Sequence, residues 1–275
     1  MEKQINKLIS SIKHWQYNVT EPLLLVTQRH IYERNYFSND EEPLISVYVP
    51  TYNRCELLMD RAVKSVLSQT YTNFEFIIIG DCCTDGTEEA VKEIDDPRIK
   101  FYNIPKRDYR YPPSAENHWY AGPVVAANQA LSMVLGKWIA RIDDDDIWTE
   151  EHLEVLLNFA QKEHWEFVSS AYSAVRDGEE QVFSMIDEEV KISGTQTWLY
   201  RSYLKFFRYN IHCWRKEWNR VNDTDIQDRM YRAGVRMGYL DEVTCKIIPR
   251  PGETTIGLDA YRQNRGEKEQ HFKFS

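Results

Sequence analysis

Long apolar runs are missing from this chain. No stretch approaches the roughly 18 to 20 uninterrupted apolar residues that would span a bilayer, and Met1 to Ser11 holds no signal-peptide apolar core. The expected location is therefore the cytosol. The five cysteines (Cys55, Cys82, Cys83, Cys213, Cys245) are odd in number, form no CxxC pair and include a vicinal pair, which argues for reduced thiols and against a zinc site. An excess of basic charge is missing too: 34 Lys and Arg stand against 43 Asp and Glu, a net charge of -9, so nucleic acid is not the expected partner. GxGxxG, GxxxxGK[ST], HExxH and GxSxG are all absent. Dinucleotide redox enzymes, P-loop phosphotransferases, zincins and serine hydrolases of the common designs lose weight accordingly.

What is present suits one large α/β domain: 275 residues, 42% hydrophobic and 13% aromatic. Residues 1–43 read as an N-terminal helical extension. Ile5, Leu8, Ile9 and Ile12 recur at helical spacing, an apolar patch follows at Leu23 to Val26, and a polar linker runs through Ser38 to Pro43. This extension is expected to pack on the main domain, and its amphipathic start leaves a peripheral membrane contact open. Residues 44–275 read as the main domain, with a first half 44–163 and a second half 164–275.

From Leu44 onward, short apolar runs alternate with helical patterns. Strands are expected at Leu44 to Val49, Phe74 to Ile79, Ile99 to Ile104, Trp138 to Ile142 and Phe167 to Ala171. Helices are expected at Glu56 to Ser68, Asp85 to Ile94, Val124 to Leu135 and from Thr149, where Glu150 and Glu151 suit the dipole of the first turn. That alternation implies a mostly parallel central sheet flanked by helices, with ligands beyond the carboxyl ends of the strands. Lys106 to Gly122, rich in Arg, Tyr and Pro, reads as a long functional loop.

Three motifs sit just after strands. Arg141 is followed by Ile142 and then four carboxylates, Asp143 to Asp146. Such crowding repels unless a cation neutralises it, and oxygen-only ligands favour Mg²⁺ or Mn²⁺ bridging to phosphate. A solvated acidic turn before the Thr149 helix is the plainer reading of the same residues. Asp81 ends the apolar run Ile77 to Ile79, at an edge where a carboxylate accepts hydrogen bonds from a nucleobase or ribose, and Thr84 and Asp85 look like caps of the next helix. Pro50-Thr51-Tyr52-Asn53-Arg54 follows the first strand. Tyr52 suits stacking on a base, while Asn53 and Arg54 suit ordering the loop or reaching a phosphate.

Together the three motifs, in this order, resemble the family 2 glycosyltransferases of GT-A fold. The resemblance covers about 44–163 well and continues loosely to Gly234. It implies a nucleotide diphosphate sugar donor, a carbohydrate or glycolipid acceptor, and Mn²⁺ or Mg²⁺. Carried over by motif, Pro50, Tyr52 and Asp81 would hold the nucleobase, Asp143 and Asp144 would lie near the ribose and diphosphate, and Asp145 would bind the metal with Asp143. The family's arginine before the asparagine of its fourth helix is Ala127 here, so Arg107 or Arg110 would substitute for a phosphate contact. Gln69, in Leu67 to Tyr71, would fix a loop.

The acceptor base is expected in Asn222 to Arg229, upstream of Gly234. Alignment on that glycine selects Asp223, with Asp225 as the fallback and a helix cap as the plainer role. His212 is a further candidate metal contact against an ordinary structural role, and Trp214 or Trp218 is a candidate sugar platform. The reaction implied is transfer with inversion, in surface polysaccharide or glycoconjugate synthesis. A sugar-phosphate nucleotidyltransferase and a non-catalytic nucleotide-sugar-binding module are the competing readings.

Overall fold

The structure is a computed structural model that describes residues 2–33, 42–107, 110–189, 191, 193–217 and 220–263. The polar linker and Trp218 of the sequence analysis lie mostly or wholly outside the described residues.

Four strands carry the parallel part of the sheet: β1 (Ile45–Thr51), β2 (Phe74–Gly80), β3 (Ile99–Asn103) and β4 (Trp138–Arg141), in the order β3-β2-β1-β4. Every residue of β1 and β2 is buried. A parallel strand covered on both faces reads as an unbroken apolar run, which is why these segments lack alternation in sequence. Along β1, Tyr48 points into one core while Ile45, Val47 and Val49 point into the other.

Two layers of helices cover those faces. One face packs on a helix in three parts, α2 (Cys55–Leu57), a π segment (Leu58–Val63) and α3 (Lys64–Leu67), together with α4 (Thr87–Lys92). Asp85 accepts from the Thr87 N–H and hydroxyl just before α4, whose N-cap is Gly86 at φ 82° rather than Asp85 itself. The other face takes α5 (Ala115–Ala121) and α6 (Val124–Met133). α5 corrects the reading of Lys106 to Gly122 as loop throughout: the Ser114 hydroxyl accepts from the Asn117 N–H and starts a helix directly after the prolines.

The rest of the sheet is mixed. β5 (Asp146–Trp148) follows the acidic run, and α7 (His152–Lys162) starts three residues later than Thr149. β6 (Phe167–Arg176), β7 (Glu179–Phe183), β8 (Leu199–Arg201) and β9 (Met237–Ile247) complete the order β4-β8-β6-β9-β5, with β7 on β6. β8 runs antiparallel to β4 and β6, whereas β6 and β9 are parallel. Two more helices, α8 (Asn222–Ala233) and α9 (Gly257–Arg262), belong to the second half.

Among the described residues of the N-terminal extension there is one helix, α1 (Glu2–Tyr32), which lies against α8. Leu25 enters the core, Glu21 meets Arg229 of α8, and Arg29 donates to Glu166 at 2.6 Å.

Candidate functional site

A cleft of about 530 Å³ opens where the carboxyl ends of β1, β2 and β4 face the start of α8. Pro50, Thr51, Tyr52, Arg54, Asp81 and the whole run Asp143 to Asp146 line it from the first half. Asn53 does not line it. It sits at φ 47°, a left-handed turn that asparagine tolerates, and its side chain accepts from the Thr84 N–H at 2.8 Å. Its role is to tie the first strand-end turn to the second.

Asp81 is clamped by arginines. Arg110 donates to both carboxylate oxygens at 2.8 Å, Arg107 approaches at 3.2 Å, and the Arg107 guanidinium lies 3.7 Å from the centre of the Tyr52 ring. The two arginines are thus gathered at Asp81 and Tyr52 rather than at the acidic run. Asn128 takes no part: its amide is paired with the backbone of Tyr209.

The four aspartates differ in surroundings. Asp143 is the most exposed and is paired with Arg141 at 2.8 Å. Asp144 is buried, accepting from the Thr51 hydroxyl and from Arg54, both at 2.8 Å, yet burial pushes its carboxyl up and the Asp145 charge adds to that. For Asp145 burial acts in the same direction, but Arg54, Arg250 and Arg61 outweigh it and hold the group below the ordinary aspartate range. Asp146 is pushed well above that range by burial and by its three acidic neighbours. Its side chain belongs to β5, so it closes the run rather than serving it.

Among the described residues no group of three or more His, Cys, Asp or Glu side chains is arranged to hold a metal ion unaided. The donor set still fits a hard cation. Asp143 and Asp145 are partly exposed oxygen donors two residues apart at one strand end, and Mg²⁺ and Mn²⁺ fill their remaining positions with water and phosphate. His212 does not join them. It sits in the short helix Ile211–Arg215, in a small cavity with Ser10, Lys13 and Tyr17 of α1, away from the cleft. The histidine candidate is therefore corrected to a structural role.

α8 separates the two candidate bases. Asp223 lines the cleft, and its carboxyl is raised by burial, with Asp143 adding to the effect and the Thr224 N–H and Arg141 offsetting part of it. The N-cap is Val221, so Asp223 is not the cap. Asp225 lies toward α1, paired with Arg229 at 2.9 Å, and lines the small cavity beside His212 instead. Residues two apart on a helix point about 200° from each other, so both acids cannot face one cleft. Asp225 is therefore removed from the candidate bases.

Several residues in or beside the cleft carry no signal in sequence. Arg61, in the π segment, donates to the carbonyl oxygens of Asp145 (2.8 Å), Ile248 (2.7 Å) and Pro249 (3.0 Å), stapling the acidic run to the chain after β9. That chain then returns over the cleft. Arg250 stands 3.7 Å from Asp145, and Tyr261 of α9 packs on Trp119 and stacks on His118. Trp119 lines the cleft, whereas Trp214 packs against the core under Arg215. Gln69 fixes a loop, holding Thr149 O at 2.6 Å and the Leu153 N–H at 3.0 Å.

Parallel strands with acidic and arginine-bearing turns at their carboxyl ends, joined to a mixed second half, define the GT-A fold of nucleotide-sugar-binding transferases. The sequence pattern described as glycosyl transferase family 2 matches residues 46–222, and the chain belongs to that family. Over 122 residues it is 39% identical to the putative colanic acid biosynthesis glycosyl transferase WcaA of Escherichia coli K12, covering 44% of this chain and 39% of that protein. Over 137 residues it is 31% identical to an Escherichia coli protein, the UDP-Glc:alpha-D-GlcNAc-diphosphoundecaprenol beta-1,3-glucosyltransferase WfgD, covering 50% of this chain and 49% of that one. The matches thus span half or less of these relatives' length. The crystal structure of S. aureus TarS 1-349 in complex with UDP-GlcNAc shares the fold, with a TM-score of 0.60 at 20% identity over 83% of this chain and 70% of that one.

Proposed function

We propose that this chain moves a sugar, with inversion, from a nucleotide diphosphate sugar to an acceptor hydroxyl in surface polysaccharide or glycoconjugate synthesis. One observation carries the reading: Asp223 and the run Asp143 to Asp146, from opposite halves of the chain, line the same cleft. Pro50, Tyr52 and Asp81 form the nucleobase end. Asp143 and Asp144 lie toward the ribose and diphosphate. Asp145 and Asp143 would hold a Mn²⁺ or Mg²⁺ ion, whose chemistry is charge neutralisation on the departing diphosphate. Asp223 takes the proton from the acceptor hydroxyl as that oxygen attacks the anomeric carbon. Attack on the face opposite the leaving group inverts the configuration. WfgD, whose name specifies a lipid-diphosphate-linked sugar, supports a carbohydrate or glycolipid acceptor.

A thermal-shift panel of nucleoside diphosphates with and without Mn²⁺ tests the donor end, since a ligand at 100 times its Kd adds about 2.7 kcal/mol of stability. The expected result is a Mn²⁺-dependent rise for one or two bases, with nucleotide release from the matching sugar donor that Asp145→Ala abolishes. Pyrophosphate formed from a nucleoside triphosphate and a sugar phosphate would make the protein a nucleotidyltransferase instead. Binding without turnover of any donor would make it a non-catalytic module.

A further inference from the structure

α1 has an inner and an outer face. On the inner face Ser10, Glu21 and Leu25 are buried, and Tyr17 lies under the Arg229 guanidinium of α8. On the outer face Ile5, Leu8, Ile12, Trp15, Val19, Leu23 and Val26 are 43% to 69% exposed. Their steps of three and four residues gather all seven into one stripe about 80° wide, running most of the helix length. None of them lines the cleft. Single exposed apolar residues are ordinary, but a continuous stripe of seven marks an interaction surface.

The stripe is its own reverse. Replacing each position n by 31 − n sends Ile5 to Val26, Leu8 to Leu23 and Ile12 to Val19, and sends Trp15 to its neighbour Gln16 at the centre. An isologous twofold contact needs such self-complementarity, because each residue must meet the partner of its own mirror position. We propose that α1 is a dimerisation helix, and that two copies of this chain pack their α1 stripes antiparallel about a twofold axis at Trp15–Gln16.

Charge and area both favour a second copy over a lipid surface. The exposed residues bordering the stripe are Gln4, Ser11, Gln16, Thr20 and Thr27, with Asn18 and Lys7 further round and His30 one turn beyond its end. An anionic bilayer is read by rows of Lys and Arg, which this border lacks, and the chain carries a net charge of -9. A neutral border instead lets two identical helices approach without like-charge repulsion. Seven side chains of this size offer on the order of 700 Å² per copy, close to the ~800 Å² per partner of a standard interface.

Sedimentation velocity of the full chain between about 1 and 100 µM, bracketing the usual micromolar range of weak dimers, is the first test. The expected species has twice the 32.7 kDa chain mass, and Leu8→Glu combined with Val19→Glu returns it to the single mass. Cysteine cross-linking tests the geometry on otherwise intact protein. Gln16→Cys should cross-link to itself, Ile5→Cys should not, and a mixture of Ile5→Cys with Val26→Cys should. In the antiparallel pair the two Ile5 positions lie about 31 Å apart, 21 residues at 1.5 Å each. A wild-type chain that stays at the single mass at the highest concentration overturns the proposal, as does self-cross-linking of Ile5→Cys. A single-mass chain that sediments with phosphatidylglycerol vesicles would assign the stripe to lipid and overturn it equally.

Discussion

Glu21→Gln should raise the melting temperature relative to wild type by about 5 to 10 °C more at pH 8 than at pH 5. The reason lies in the contact between α1 and α8. Arg229 is buried between Glu21 of α1 and Asp225 of its own helix, pairing with both and donating to the Arg208 carbonyl as well. One guanidinium cannot neutralise two buried carboxylates. Burial therefore pushes Glu21 from 4.5 to about 7, although Arg229 pulls the other way. A carboxyl raised on folding helps most below its unfolded value, and that help is lost as pH rises through the folded value. At roughly 1.4 kcal/mol per pH unit the whole displacement amounts to about 3 kcal/mol, of which about 2.5 falls between pH 5 and pH 8. For a chain of this size each kcal/mol moves the midpoint by roughly 2 to 4 °C. Glutamine keeps the shape and the acceptor oxygen while removing the titration. Differential scanning fluorimetry of both proteins across the pH range gives the difference directly. A difference that stays constant from pH 5 to pH 8 would refute the reasoning, because Glu21 would then be ionised throughout. The cluster also holds the helix whose first turn carries Asp223, so it bears on the site as well as on stability.

Two further outcomes follow from the cleft. Asp223→Asn should lower kcat by about 10²- to 10⁴-fold while leaving donor affinity by calorimetry unchanged, whereas Asp225→Asn should leave kcat within a few-fold and lower the melting temperature. Because burial and Asp143 raise the Asp223 carboxyl, the wild-type kcat should climb with pH along a limb above the ordinary aspartate range; a flat profile there would count against Asp223 as base. Arg110→Ala removes the bidentate clamp on Asp81 and frees one oxygen, Arg107 remaining 3.2 Å from the other, for the nucleobase end of the donor. Nucleotide binding by calorimetry should then tighten several-fold, and a comparable weakening would mean that Arg110 itself touches the donor.

Much of the first half was legible from residues alone. β1, β2 and β4 are short, nearly unbroken apolar runs because both of their faces are covered, and each ends in a turn whose polar residues stand out against that background. α5 was hidden because Pro112 and Pro113 mask the serine cap that follows them. The arginine positions were legible, but not their partners. Arg107 and Arg110 read as phosphate ligands in waiting, and chain geometry delivers them to Asp81 instead.

The sequence by itself determined most of the strand–helix alternation of the first half, the three strand-end motifs and the position of the acidic run, because all of these rest on local periodicity and on contacts within a turn. Tertiary structure alone decided which way α8 faces. Alignment on Gly234 ranks Asp223 ahead of Asp225 but leaves the second as a fallback, and it is the packing of α1, through Glu21 and Arg229, that holds Asp225 on the side of α8 away from the cleft. It also brought Arg61 under the acidic run and Arg250 and Tyr261 over it, from segments about 84 to 116 residues away along the chain. Such contacts depend on where the backbone returns after β9, which no local pattern encodes.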